Sequence, residues 1–266
     1  MSFRDRLAKR TGLPATEVPS SYQILGDIML LKLLATPAND KKAVAEAILA
    51  LFPRIKTVCE ITGVVNEFRT PDIRILAGNG TVTTHTEHGI RYRLDAATIM
   101  FSKGNHAERV RLLGQLRQNE TVVDMFAGIG YFSLGIAPRV RQVYAIEKNP
   151  VAFGYLQENI ALNHFPNTEA LLGDNRVLAT KLEGIADRVV MGYFPGTEKF
   201  LPTALTLLKK RGMLHFHNTY RKHELWEKPL EHVASMGVPF TVLAKKKVKS
   251  VAPNVYHVVL DVEVRQ

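Results

Sequence analysis

Beyond residue 96 the chain repeatedly switches its hydrophobic period between two and 3.6, and this alternation constrains the fold more than any other feature. Helical patterns at 105–117, 131–137, 150–163, 198–210 and 221–236 separate strand-like runs at 121–126, 142–147, 169–172, 187–193 and 212–217. Strands that alternate with helices pack as parallel neighbours joined by right-handed crossovers. The spacing therefore predicts an α/β fold, a doubly wound sheet with helices on both faces, closed by two further strands at 240–248 and 255–264.

Ahead of it the pattern differs. A short buried segment at 22–34 precedes an amphipathic helix at 40–52, for which Asp40 is the expected N-cap and Pro53 the stop. From 57 to 95 the runs are strand-like, with turn residues at Gly78-Asn79-Gly80 and His88-Gly89. The expected organisation is a small α+β domain at 1–95 and a larger α/β domain at 96–266. Hydrophobic residues make up 46% of the chain, enough for a real core. The longest apolar stretches, such as 28–34, fall short of a membrane span, and the opening MSFRDRLAKR lacks the apolar centre of a secretory signal. A cytoplasmic protein is expected. One cysteine, Cys59, excludes an internal disulfide and a thiolate metal cage, and reads as a core thiol. The net charge of +10 favours polyanionic partners without choosing among them.

The richest stretch is TVVDMFAGIGYFSLGIA at 121–137, where a buried strand ends in an acid and a Gly-rich turn opens into a helix. Asp124, Phe126, Ala127, Gly128 and Gly130 occupy that turn. Small residues there let a ligand approach the backbone, although a purely structural tight turn gives the same pattern and Ser133 replaces the third glycine of the dinucleotide fingerprint. The next strand ends in Glu147, about where an acid captures ribose hydroxyls in doubly wound nucleotide folds. After the third strand, Asp174 and Asn175 could read an adenine edge, or form an ordinary Asx turn. An acid at the end of each of three successive strands is the pattern of class I S-adenosylmethionine-dependent transferases, Rossmann-like sheets with an antiparallel C-terminal strand, more than of dehydrogenases.

The runs MFSKGNHAERVRLLGQL at 100–116, DMFAGIGYFS, AIEKNPVAFGYLQENIALN and GDNR together resemble a family of tRNA position-37 enzymes. That family holds the tRNA guanine N1-methyltransferases and the wybutosine-pathway, archaeal-type tRNA 4-demethylwyosine 3-amino-3-carboxypropyltransferases. The likeness runs from about Tyr22 to Arg211, and TGVVNEFRTPDIRILAG and HGIRYRLD resemble the small domain these enzymes carry first. Two departures resemble the second branch: Lys103-Gly104-Asn105 after Phe101-Ser102, where methyltransferases have Pro-Arg, and Met191-Gly192-Tyr193 where they have Asn-(Leu or Pro)-Pro. The resemblance implies transfer of the aminocarboxypropyl group of S-adenosyl-L-methionine to C7 of 4-demethylwyosine in tRNA-Phe, with guanine N1-methylation as the alternative. It implies no metal, an anticodon-region contact and a monomer.

By the same resemblance Ser102 and Arg109 fall on the methionine carboxylate, Glu147 on the ribose, and Asp174 and Asn175 on the adenine side. The acceptor-pocket candidates are Asn105, Met191, Gly192 and Tyr193, with no catalytic base assigned. Without the family, Arg109 and Arg111 read equally as solvated helix charges. His215 and His217 alternate on one strand face, but no nearby acid or thiol completes a metal set, so a structural or substrate-lining role is expected. The run Lys245-Lys246-Lys247-Val248-Lys249 reads either as a solvated strand edge or as a phosphate contact. Tyr193, Phe194 and Tyr220 are candidates for stacking on an extruded base.

Overall fold

The computed structural model describes residues 1–66 and 68–266, without the side chain of Lys103. The chain divides into two compact units, Met1–Phe101 and Ser102–Gln266.

In the first unit, helix α1 (Phe3–Thr11) starts from a capping box in which Ser2 and Asp5 satisfy each other's backbone N–H, and it ends at Gly12 in the left-handed region. The polar sequence hides this helix, because only Leu7 is buried along it. Strands β1 (Tyr22–Leu25) and β2 (Ile28–Leu31) pair as a hairpin, so the buried segment expected at 22–34 is two strands turning at Gly26. Helix α2 (Lys41–Leu51) crosses over to β3 (Thr57–Val65), which runs parallel to β2. Strand β4 (Thr70–Ala77) closes the order β1-β2-β3-β4. Asp40 holds the N-cap position of α2 but its side chain makes no capping bond, because its backbone is already helical at φ −94°, ψ −12°. Leu7, Met29, Val44, Ile48 and Val58 share the core beneath the sheet. Cys59 is buried as expected, and burial, followed by repulsion from Asp95, pushes its thiol up to about 11. A hairpin of β5 (Val82–Glu87) and β6 (Ile90–Asp95) turns at His88-Gly89.

The second unit carries α3 (His106–Leu113), then β7 (Thr121–Asp124), α4 (Ser133–Ile136), β8 (Gln142–Glu147), α5 (Pro150–Asn163), β9 (Thr168–Leu172), α6 (Asn175–Leu178) and β10 (Ala186–Met191). Helix α7 (Leu201–Leu207), β11 (Leu208–Arg221), α8 (Glu227–Ala234), β12 (Phe240–Ala252) and β13 (Val255–Arg265) follow. Its described residues form a seven-stranded sheet of order β12-β13-β11-β10-β7-β8-β9. Strands β7 to β11 are parallel and β13 lies antiparallel between β11 and β12. The order reverses between β7 and β10, which makes the carboxyl ends of those strands the crevice where such sheets bind ligands.

Several expected helices are shorter. Gly114 ends α3, and Pro138, lacking an N–H, leaves only a 3₁₀ turn after Ile136. Residues 218–221, polar enough to read as helix or turn, belong to a 14-residue β11 because β13 pairs with it from Arg211 to Arg221, and 208–210 join it where Leu208 pairs with Ala186 of β10. No helix among the described residues is long and apolar enough to cross a membrane.

A buried polar cluster ties α3 to the sheet. The Arg111 guanidinium donates to both oxygens of Glu108 at 2.7 Å and to both oxygens of Asp261 on β13. Gln115 and His215 also reach Asp261, at 2.9 and 2.7 Å. Arg188 holds Glu120 at 2.8 and 2.9 Å and donates to Nε2 of His215. A guanidinium only donates, so Nε2 accepts and the ring proton of His215 sits on Nδ1, facing Asp261. Burial raises the Asp261 carboxyl, yet the hydrogen bonds from His215 and Arg111 outweigh it and hold the group far below the usual range. The reading of Arg111 as a solvated charge is therefore overturned. Removing one partner of a buried ionic cluster strands the others, at a cost of about 3 kcal/mol. Asp261→Ala is expected to lose about that much in urea denaturation, and a variant of wild-type stability would contradict this account.

Candidate functional site

The carboxyl edge of the parallel strands gathers most of the residues singled out in the sequence. Asp124 ends β7 fully buried, accepting from Ser133 Oγ at 2.6 Å and Phe126 N at 3.3 Å. Burial lifts its carboxyl to about 6 against those hydrogen bonds. The acid thus fastens the turn to the first residue of α4. Ala127 N donates to Ile146 O at 2.9 Å, which draws the turn onto β8. Gly128 stands at φ 58° and Gly130 at φ 101°, conformations that L side chains rarely adopt. A Cβ on Gly130 would come within 2.5 Å of Leu134 and 3.2 Å of Leu156, so this glycine also lets α5 approach.

Glu147, at the end of β8, accepts from Gly128 N and Asn149 N, each at 2.7 Å. Burial raises its pKa, with the backbone donors Asn149 and Gly128 opposing. Both oxygens are oriented at the mouth of the Gly-rich turn. Asp174 caps α6 and is gripped by Arg176 at 2.6 and 2.9 Å, which holds its carboxyl down at about 2. Asn175 is buried and donates to Met125 O at 3.0 Å, while its Oδ1 has no hydrogen-bond partner among the described residues. That oxygen is a buried acceptor whose hydrogen bond is left unmade among the described residues.

The tip of β10 adds the other wall. Met191 is fully buried in the core, so Gly192 and Tyr193 form the accessible part of the tip. A Cβ on Gly192 would lie 2.8 Å from the Phe132 ring, which explains the glycine by steric contact. Tyr193, 36% exposed, stacks on Phe126 at 5.0 Å and 22°, with Phe200 edge-on beneath Phe126. Phe194 lies against His257 at 4.1 Å. Tyr220, by contrast, is buried and hydrogen-bonded to His232 and Asn218, which removes it from the aromatics able to stack on a base.

A second group lies around the start of α3. Ser102 Oγ accepts from Lys249 Nζ at 2.8 Å, a neighbour that the sequence did not indicate. Arg109 is buried, contrary to the solvated reading. Asn105 occupies the N-cap position of α3 without a side-chain capping bond, and its Oδ1 is buried with no hydrogen-bond partner among the described residues.

His215 and His217 are both buried on β11, and His217 Nδ1 meets His257 Nε2 at 3.1 Å. Burial drives His217 well below its ordinary value, helped by His257, and lowers His257 to about 3, helped by Lys249. Both rings are neutral in the folded protein. Because the unfolded chain takes up protons near 6.5 and the folded one resists until about 3, this stability is present above pH 6.5 and lost as pH falls through that window. Each histidine contributes a slope of up to about 1.4 kcal/mol per pH unit. His257→Phe is expected to flatten the loss of urea stability between pH 7 and 5, and an unchanged slope would refute the assignment.

Two family models cover nearly the whole chain: TYW2 N-terminal domain at residues 4–81 and TRM5/TYW2 methyltransferase domain at residues 83–243. Among relatives, the tRNA(Phe) (4-demethylwyosine(37)-C(7)) aminocarboxypropyltransferase of Methanocaldococcus jannaschii is 41% identical over 249 residues, 90% of this chain and 96% of the relative. The tRNA (guanine(37)-N(1))-methyltransferase Trm5b of Pyrococcus abyssi is 32% identical, with 93% and 76% covered. The crystal structure of P. horikoshii TYW2 in complex with MeSAdo superposes with a TM-score of 0.86 at 36% identity, covering 99% of each chain.

Proposed function

The chain belongs to the TRM5/TYW2 family, and from that premise we propose that it transfers the 3-amino-3-carboxypropyl group of S-adenosyl-L-methionine to C7 of 4-demethylwyosine at position 37 of tRNA-Phe, releasing methylthioadenosine. The observation that carries this reading is the higher identity to the aminocarboxypropyltransferase than to the methyltransferase, over nearly the full length of the former. Met191-Gly192-Tyr193 in place of a methyltransferase's Asn-(Leu or Pro)-Pro supports it.

The site's donors and acceptors fit S-adenosylmethionine. Asn175 Oδ1, buried and unpaired among the described residues, takes a hydrogen of the adenine amino group, with Asp174 beside it. Glu147 receives the ribose hydroxyls at the Gly128 and Gly130 turn, with Asp124, Phe126 and Ala127 fixing that turn. Ser102 and Arg109 hold the methionine carboxylate, the arginine as a bidentate fork. When bound, the sulfonium supplies three activated carbons and a neutral leaving sulfide, so the carbon that faces the acceptor decides which group moves. The chain's part is orientation. Asn105, Gly192 and Tyr193 line the acceptor side, and Tyr193, braced on Phe126, offers a ring face to the extruded base. The exposed Lys245 and Lys246 on the sheet edge contact tRNA phosphate, and residues 1–95 contact the tRNA near its anticodon while 96–266 perform the transfer. The protein works as a cytoplasmic monomer.

Purified protein with precursor tRNA and S-adenosylmethionine is expected to release methylthioadenosine. Release of S-adenosylhomocysteine alone would instead make it a guanine-37 N1-methyltransferase. Glu147→Ala is expected to weaken calorimetric S-adenosylmethionine binding by tenfold or more, the scale of losing hydrogen bonds to a charged group, about 1.5–3 kcal/mol. Unaltered affinity would remove Glu147 from the site.

A further inference from the structure

Strand β12 is the exposed edge of the large sheet, yet one of its lysines is turned away from that edge function. Lys246 pairs with Val259 and Lys247 with Val258, but Lys249 pairs with His257, so residue 248 is an extra residue in the ladder. Cross-strand partners share a face of a sheet. Lys247 therefore stands on the Val258 side, where its ammonium lies 4.5 Å from the Tyr256 ring, and Lys249 stands on the opposite side with His257. In a regular strand the two lysines would share one face. The bulge re-aims Lys249, as bulges beside functional sites commonly do.

What it is aimed at is polar and specific. Its Nζ lies 2.8 Å from Ser102 Oγ and 5.9 Å from the Phe194 ring, and the side chain is half-buried while Lys245, Lys246 and Lys247 are exposed. Its stem passes over Gly104, where a Cβ would stand 2.6 Å from the Lys249 Cδ. Gly104 is outside the left-handed region, so a side chain there would displace the end of Lys249 rather than strain the backbone. A hydroxyl that accepts from an ammonium keeps its own proton to donate onward. A hydroxyl and an ammonium side by side, half-withdrawn from water, suit a carboxylate.

We propose that Lys249 is a further substrate-binding residue, pairing with the carboxylate of the amino-acid arm of S-adenosylmethionine beside Ser102. The inference rests on the reaction assigned above. It gives the transferred group, and not the adenosine, a second cation beside Arg109, and it puts that cation's stem where a side chain at Gly104 would displace it.

The test compares two ligands that differ by this arm and by the sulfonium charge that goes with it. In calorimetry on the full chain, Lys249→Met is expected to weaken S-adenosylmethionine about tenfold to a hundredfold and leave methylthioadenosine within about twofold, a difference a misfolded variant cannot give. Gly104→Ala, which displaces the stem, is expected to show the same selective loss, and Lys249→Arg to restore part of it. Equal weakening of both ligands, or unchanged affinity for both, overturns the proposal. So does a selective loss of affinity for a tRNA-Phe transcript, which would make Lys249 a phosphate contact. If wild-type protein binds no S-adenosylmethionine, the assigned reaction itself fails, a result distinct from any of these.

Discussion

Asp261 is the point on which the second unit's geometry converges. One carboxylate, buried in the middle of β13, accepts from Arg111 and Gln115 of the α3 region and from His215 of β11. His215 passes the connection to Arg188 and Glu120 at the base of β10 and β7. Charges in such a setting are costly to desolvate, so they persist only where every member is satisfied, and a satisfied network permits few alternative packings. The helix that carries Asn105 and Arg109 is thereby fixed against the same strands that carry the Gly-rich turn and the Gly192 tip. Site residues distant in sequence inherit their mutual placement from this buried cluster.

Two kinds of glycine shape the site. Gly128 and Gly130 are needed for backbone conformations that bring amide groups toward Glu147 and a helix toward the turn. Gly192 gives clearance to the Phe132 ring, and Gly104 lies under the stem of Lys249, which a side chain there would displace. The second pair lies in the two segments whose sequence resembles the aminocarboxypropyltransferase branch.

Much of this was legible beforehand for a definite reason. Val122 and Val123, Val143 and Ile146, and Val189 and Val190 are buried from both faces, so their strands read as apolar runs, and the Gly-rich turn and Glu147 fell at their ends. What could not be read was whatever depends on a partner remote in sequence. The polar C-terminal end of β11 is strand because β13 runs beside it, and Arg111 is half-buried because Asp261, 150 residues on, receives it. Tyr220 looked available for stacking and is instead enclosed by Asn218 and His232.

The sequence by itself determined the parallel sheet, the small leading domain and the acids at three strand ends, because periodicity and strand-end chemistry are local properties. Only the tertiary structure decided that Asp124 faces inward to Ser133, that His217 and His257 meet as neutral rings, and that a bulge at residue 248 delivers Lys249 to Ser102. Register between strands is a long-range property, and a single inserted residue reverses the face on which a side chain emerges.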